Sequence, residues 1–481
     1  MYHKNKWGYI MKVKFLSLVL AASLLATSLM GCGNNTDSKA TSTEAVKEEV
    51  NEDSKTEDTG SEADTPAAET TDGKTIVTMW IMPNSGEPEA DFLTVMAPFL
   101  EQNQDIDIQV TVLDWGSAWT KITTAATSGE GPDITQLGTT QVAAVAAMGA
   151  LEDLTGIYDR FGGEEAFVPA TLPTTQILGA GEERFAAPWF IDTRALFYRK
   201  DICEAAGVNP ETDFETWDSF KAALTKMKGV TIEGKEVTPL AMPGKNDWNV
   251  IHNFAPWIWG AGGEFIADDN KTSVVDSNEA YEGVKFYTEL ASEGLMSMPA
   301  LEKNSAEVEA LFNSGEAATI FTGAYEIATL RREQPELAEK IGTAPFPAGP
   351  AGRYAFFGGS GLSVFNSSAN KEAAYRIIEY LMTPDAQVAY QRLCGNLPTV
   401  QATYETDFVS EEPMREAFKE QLEFGKAYPS VAGWGPSETI LQKGLSNVWD
   451  NVMGVYGDYK PEQTKEFLTQ TAGESTVIYN E

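Results

Sequence analysis

Two histidines, His3 and His252, and three cysteines, Cys32, Cys203 and Cys394, are all that the 481-residue chain contains of those types. A Ser-His-Asp or Cys-His device has only His252 to be built on once a cleaved leader has taken His3, and multi-histidine metal sites or thiolate clusters lack ligands. Carboxylates are plentiful, 71 against 35 lysines and arginines, so counting does not exclude a pair of acids for hydrolysis. The aromatic residues say more. Among 11 Trp and 16 Tyr, Trp115 follows a strand end and Trp248, Asn249, Trp257 and Trp259 cluster before Gly260-Ala-Gly-Gly263. Tyr325 follows Gly323, and Trp434 lies in Val431-Ala-Gly-Trp-Gly-Pro436. Rings in such places, with Asn84 and Gln136 at strand ends, are equipment for stacking and paired hydrogen bonds, which is binding without covalent change. Trp80, Trp119, Trp217 and Trp449 are expected to pack, as large rings mostly do.

The elements that must position these groups alternate. Thr75-Ile-Val-Thr-Met-Trp-Ile-Met82 reads as a strand closed by Pro83-Asn84-Ser85-Gly86, and 88–101 has helical spacing. Residues 106–113 alternate as a strand, 117–128 read as a helix ended by Gly129, and a strand at 134–137 and a helix at 141–148 continue the series. Strands separated by helices predict an α/β fold with largely parallel sheets. About 407 residues follow Lys74, more than one core usually serves, so two lobes are expected.

From Met11 the chain reads MKVKFLSLVLAASLLATSLMGC, a basic start and a short apolar run with the form of a secretory signal peptide. Leu29-Met30-Gly31-Cys32 resembles a bacterial lipobox, although Met30 is larger than the usual residue there. The expectation is a signal peptide over 1–31, lipidation of Cys32, and a disordered acidic tether over 32–74, too poor in large apolar groups to offset ordering entropy. A single-pass anchor, or an ordinary cleaved signal with an incidental Cys, is the alternative. The lipobox and long tether place the protein on the outer face of the cytoplasmic membrane and suit a Gram-positive envelope. The formal charge of −36 becomes more acidic in the mature chain, 31 basic residues against 71 acids, because Lys4, Lys6, Lys12 and Lys14 leave with the leader. Such a surface repels phosphate backbones and anionic lipid, so nucleic acid is excluded as a partner and membrane contact is left to the lipid.

One segment carries the most specific pattern: APWFIDTRALFYRKDICEAAGVNPETDFETWDSF, residues 187–220. Pro188, Tyr198-Arg199-Lys200-Asp201, Ala206-Gly207 and Thr216-Trp217 resemble the motif series of the extracellular family 1 solute-binding proteins, the maltose-binding-like receptors of ABC importers. Arg199 replaces the family's usual Asn. Ser128-Gly-Glu-Gly-Pro-Asp-Ile134, Gly315-Glu-Ala-Ala-Thr-Ile-Phe-Thr-Gly-Ala-Tyr325, Gly358-Gly-Ser-Gly-Leu-Ser-Val364, Asn370-Lys-Glu-Ala-Ala374 and Leu397-Pro-Thr399 extend the resemblance over nearly all of 75–481.

The resemblance implies a two-lobed periplasmic-binding-protein-like fold with chain crossovers and a ligand cleft at the hinge. One lobe would take 75–191 and 362–404, the other 192–361 and 405–481. It also implies capture of an oligosaccharide by cleft closure and delivery to an ABC permease, by a monomer with no cofactor, no metal and no enzymatic activity. A sugar offers weakly apolar C–H faces and an equator of hydroxyls, which aromatic plates and planar polar groups match. The expected ligand-binding residues are Asn84, Trp115, Gln136, Asp192, Trp257, Tyr325, Gly359 and Trp434, with Asp192 where relatives carry a hydroxyl-binding acid and Tyr325 and Trp434 where they carry stacking rings. The same fold with a polyamine or glycerol phosphate as ligand, or an anchored glycoside hydrolase, are the alternatives. His252 is read as structural, Cys203 and Cys394 as small buried hydrophobes, and Asp268-Asp269-Asn270 as a hairpin turn rather than a calcium loop.

Overall fold

The computed structural model describes residues 70–481 except Asp72 and Glu233. The leader, Cys32 and nearly all of the tether lie outside the described residues. The first lobe opens with β1 (Lys74–Ile81), α1 (Pro88–Gln102), β2 (Ile106–Val112), α2 (Trp115–Ser128), β3 (Ile134–Gly138) and α3 (Val142–Ala147). The boundaries follow local chemistry. Pro88 occupies the first turn of α1, the Asp114 carboxylate accepts from the Gly116 N–H to cap α2, and Gly129 ends α2 in the left-handed region. β1 pairs in parallel with β2 and β3, as the alternation predicts.

Strand β4 (Ala187–Arg199) leaves this lobe, and the chain runs on through α4 (Lys200–Ala206), α5 (Trp217–Met227), β5 (Thr238–Leu240), α6 (Val250–Gly260), α7 (Asn278–Ser292), α8 (Ser305–Asn313), β6 (Ala317–Gly323), α9 (Tyr325–Glu333) and β7 (Ile341–Ala344). Strand β8 (Ala355–Val364) returns to the first lobe, where α10 (Lys371–Leu381), α11 (Pro384–Cys394) and β9 (Leu397–Pro398) follow. The chain then ends in α12 (Arg415–Gln421), α13 (Trp434–Val452) and α14 (Pro461–Tyr479) on the second lobe. The first two crossovers are therefore long strands shared by the lobes, and the third follows β9. β4 pairs with β8 from Ala187 to Thr193 and with β6 and β7 beyond it, and β8 reaches β3 through Ser360 to Val364. These central pairings are antiparallel, so the sheet is more mixed than βαβ alternation predicts. A strand that carries the chain across and another that brings it back must run in opposite directions. The expected lobe boundaries at 191/192 and 361/362 fall inside these two strands.

Several motifs that carried the resemblance are structural. The Asp133 carboxylate accepts from the Thr78 N–H at 2.8 Å, from the Thr78 hydroxyl at 2.9 Å and from the Ser368 hydroxyl, tying β1 to the turn after β8. A Cβ on Gly131 would lie 2.4 Å from the Phe365 ring, so only glycine lets that turn close. Thr216 and Ser219 form a capping box at the start of α5.

The first lobe packs Met79, Phe92, Met96, Trp189, Ile377 and Tyr390 on one face of its sheet, and Ile122, Leu137 and Val145 on the other. The second lobe has an aromatic core, and Trp257 is at its centre. That residue is 0% exposed and packs against Trp217, Phe286, Tyr287, Phe321 and Phe346 at centroid distances of 5.0–6.0 Å. The expectation of a ligand contact at Trp257 is corrected: these rings enclose it on all sides, and it has no exposed surface from which to reach a ligand. Trp257→Ala is expected to cost about 3 kcal/mol of stability in denaturant titration, through the cavity it opens.

Candidate functional site

Strand alternation places Phe190, Asp192 and Arg194 on one face of β4, at the passage between the lobes. Arg194 is buried among polar groups. One Nη1–H donates to the Asp192 carboxylate and Nη2 donates to Asn249 Oδ1 at 3.0 Å, while the guanidinium carbon stands 5.9 Å from the ring centroids of Tyr325 and Phe356. The Asp247 carboxylate accepts from the Asn249 and Ser305 N–H groups, fixing the turn that leads into α6 against the start of α8. The Tyr325 hydroxyl donates to Glu309 Oε1 at 2.8 Å, which also accepts from the Thr322 hydroxyl at 2.7 Å. Gly323 makes room for this arrangement, because a Cβ there would lie 2.4 Å from the Tyr325 ring and 2.8 Å from the Arg194 guanidinium. Burial pushes the Asp192 carboxyl up against the pull of Arg194, and burial likewise raises Glu309.

The first lobe contributes Asn84 and Trp115. The Asn84 amide donates to Gln136 Oε1 at 2.8 Å and to the Tyr390 hydroxyl at 3.0 Å, and Gln136 Nε2 donates back to Asn84 Oδ1 at 3.1 Å and to Ser360 Oγ at 2.8 Å. Gln136 is fully buried, so it positions Asn84 without itself reaching the cleft. Trp115, on the first turn of α2, meets Trp248 of the other lobe with ring centroids 6.0 Å apart and planes within 19°.

The cleft consists of two adjoining cavities of about 790 and 470 Å³ that share Trp115, Trp248, Phe190 and Asp192. The larger holds Asn84, Arg194, Asn249, Glu309 and Tyr325. The smaller holds Trp119, Thr139, His252, Gly359, Glu438 and Gln442. Of the expected ligand residues, Asn84, Trp115, Asp192, Tyr325 and Gly359 thus line the cleft. Trp434 does not. It is 0% exposed, stacked on Tyr428 at 4.3 Å, and donates its indole N–H to Glu438 at 2.9 Å. That expectation is corrected, since the first turn of α13 directs the Trp434 ring into the second lobe and leaves Gly435 and Glu438 at the cavity. Trp119, read as a packing residue, does pack against the core that holds Ile122 and Val145, and its remaining surface lines the smaller cavity.

Sequence reasoning left Trp248, Arg194 and Trp119 out of the expected ligand residues. Trp119 stands four residues after Trp115 on one helix face, and Arg194 two residues after Asp192 on one strand face, so both carried a usable spacing signal. Trp248 carried none beyond its place in a loop.

His252 lines the smaller cavity, but its ring lies 3.9 Å from that of Phe356 and its Nδ1 is 2.9 Å from the Tyr428 hydroxyl. Burial, with Arg194 nearby, holds its pKa well below the ordinary range, so the imidazole is neutral. Cys203 and Cys394 are buried free thiols. Asp269 accepts from the Lys271 and Thr272 N–H groups in a tight turn with Asn270 at φ 57°. Among the described residues there is no group of three or more His, Cys, Asp or Glu placed to hold a metal, and no helix long and apolar enough to cross a membrane.

Glu326, next to Tyr325, is 1% exposed, and its carboxylate accepts from the Asn313 amide at 2.8 Å. Burial, then the charge of Glu309, pushes its pKa up to about 8. The folded chain therefore keeps a proton that the unfolded chain loses near pH 4.5, so the stability from this residue falls as pH rises from 4.5 to 8 and is level above. The expected loss is on the order of 3–5 kcal/mol. Glu326→Gln is expected to flatten this slope, read by urea titration from pH 5 to 9.

The fold has known counterparts. The maltose-bound MalE3 of T. maritima superposes with a TM-score of 0.73 at 23% identity, covering 84% of this chain and 99% of that one. In sequence, a binding protein of Brucella abortus is 26% identical over 377 residues, 78% of this chain and 88% of the relative. The diacetylchitobiose binding protein DasA of Streptomyces coelicolor is 24% identical over 82% of this chain and 83% of its own length. Residues 83–388 match the family described as bacterial extracellular solute-binding proteins, and with this match over more than half its length, in the fold its motifs implied, the chain belongs to that family.

Proposed function

We propose that the protein captures an oligosaccharide between its two lobes and delivers it to the permease of an ABC importer, without covalent chemistry. The observation that carries this reading is the cleft itself, where Trp115 and Trp248 from opposite lobes stand over a floor of pre-oriented amide, carboxylate and guanidinium groups. Rings for C–H faces and planar groups for paired hydroxyls are what a polyhydroxylated ligand needs. The sugar-binding relatives and maltose-bound fold neighbour support the same reading. The protein acts as a monomer with no cofactor, held at the outer face of the cytoplasmic membrane by lipid on Cys32. Hydrolysis is disfavoured because Asp192 is committed to Arg194 and Glu309 to two hydroxyls.

One observation favours a second ligand class. Asp192 and Glu309 beside Trp115, Trp248 and Tyr325 would also suit a polyamine. A phosphate ligand fits less well, since the buried cation Arg194 is already paired.

The deciding experiment is a thermal-shift screen of the secreted protein against α- and β-linked di- to pentasaccharides, polyamines and glycerol phosphate, because a ligand that binds only the native state raises Tm by mass action. A shift with one glycan series, lost in Trp248→Ala, is the expected result. A shift only with a polyamine or phosphate would replace the ligand class, and release of reducing ends would establish hydrolysis instead.

A further inference from the structure

Trp248 is 52% exposed, the most exposed aromatic side chain on the described molecule. An indole left half in water is normally trimmed by packing, yet this one is held in place from two sides. Its ring makes an edge-on contact with His252, centroids 5.6 Å apart and planes at 86°, and its face meets Trp115 of the opposite lobe. The two indoles stand over Phe190 and Asp192 on β4, and these four residues line both cavities. They form a partition across the cleft.

The compartments on either side are lined by different groups. In the larger, the polar side chains are fixed by one another: Arg194 holds Asp192 and Asn249, Gln136 holds Asn84, and Tyr325 is held by Glu309. In the smaller, Trp119 lines the wall together with the neutral His252, Thr139, Gln442 and the carboxyl group of Glu438. Each compartment falls within the range of small-molecule sites, roughly 300–1,000 Å³.

We infer that the ligand is long enough to occupy both compartments, with its middle passing the Trp115–Trp248 pair, and that the smaller compartment measures ligand length. This inference rests on the oligosaccharide reading above. Hydrogen bonds in the larger compartment would fix one terminal ring and set sugar identity. The Trp119 plate would add affinity only for a chain that continues past the partition. A ligand confined to the larger compartment would gain nothing from Trp119.

The test uses the glycan series that binds the wild-type protein, from its shortest to its longest soluble member, with affinity read by calorimetry for wild type, Trp119→Ala and Gln442→Ala. Thermal unfolding without ligand checks that each variant folds, and Gln442→Ala keeps the test open if Trp119→Ala does not. Affinity of the wild type is expected to rise at least tenfold along the series, and the variants are expected to lose at least ten times more affinity for the longest member than for the shortest. Equal losses at every length, or a wild type indifferent to length, would overturn the two-compartment inference while leaving the sugar reading intact. A wild type that binds no glycan in the series would remove that reading, and this inference with it.

Discussion

Arg194→Ala is expected to abolish measurable ligand binding and to cost the free protein about 3–5 kcal/mol of stability. Removing one partner of a buried ion pair leaves the other buried and uncompensated, which costs far more than the pair itself contributes. Here the orphan would be Asp192, with Asn249 losing its donor as well. Without the guanidinium, burial alone would act on the Asp192 carboxyl and raise its pKa further. The sign follows: the variant's deficit should be smallest well below the ordinary aspartate value of 3.8, where Asp192 is protonated in both states, and should grow as pH rises above it. The double variant Asp192→Leu, Arg194→Met, which replaces both charges by apolar groups, is expected to recover most of the stability and none of the binding. Urea titration at pH 5 and 8 with calorimetry separates the outcomes. A binding-competent Arg194→Ala would show that this network is scaffold and not ligand site.

Gly359→Ala is expected to be more damaging still, with a loss of at least about 4 kcal/mol or no folded protein. Gly359 lies in β8 where that strand crosses between lobes, at φ 131°, a conformation that costs a side chain about 1–3 kcal/mol. A Cβ there would lie 2.0 Å from the Phe190 carbonyl oxygen of β4. The obstacle is backbone, so no rotamer change relieves it, and the two shared strands must separate at the hinge. Phe190 and Asp192 line the cleft beside this point, so variants that fold are also expected to bind weakly. Circular dichroism and a thermal melt of the purified variant measure the first effect, and calorimetry the second.

Much of the fold was written in local chemistry. Proline at the first turn of α1, Asp114 and Thr216 as caps, Gly129 in the left-handed region and the alternation over β2 act within a few residues, where neighbours in sequence are neighbours in space. The Gly131-Pro132-Asp133 motif was legible only through the family pattern, because the groups it serves, Thr78 and Ser368, lie 55 and 235 residues from Asp133.

The site was legible only in part. The sequence by itself determined that a cleft between two lobes would hold aromatic rings and planar polar groups, and, through the family pattern, that Asp192 and Tyr325 would stand beside it. Tertiary structure alone decided which rings face ligand space. Trp248 sits in the turn just ahead of α6 and Trp434 is the first residue of α13, yet one is half in water and the other has no exposed surface. The direction of a ring at a helix start is set by what packs behind it, and for Trp434 that is Tyr428, six residues earlier, and Phe265, supplied by a distant segment. Trp257 lies on a helix buried on every face, where no polar stripe marks the side toward solvent. The meeting of Trp115 with Trp248 joins two lobes whose relative placement follows from the shared strands β4 and β8, so no short-range pattern in the sequence could record it.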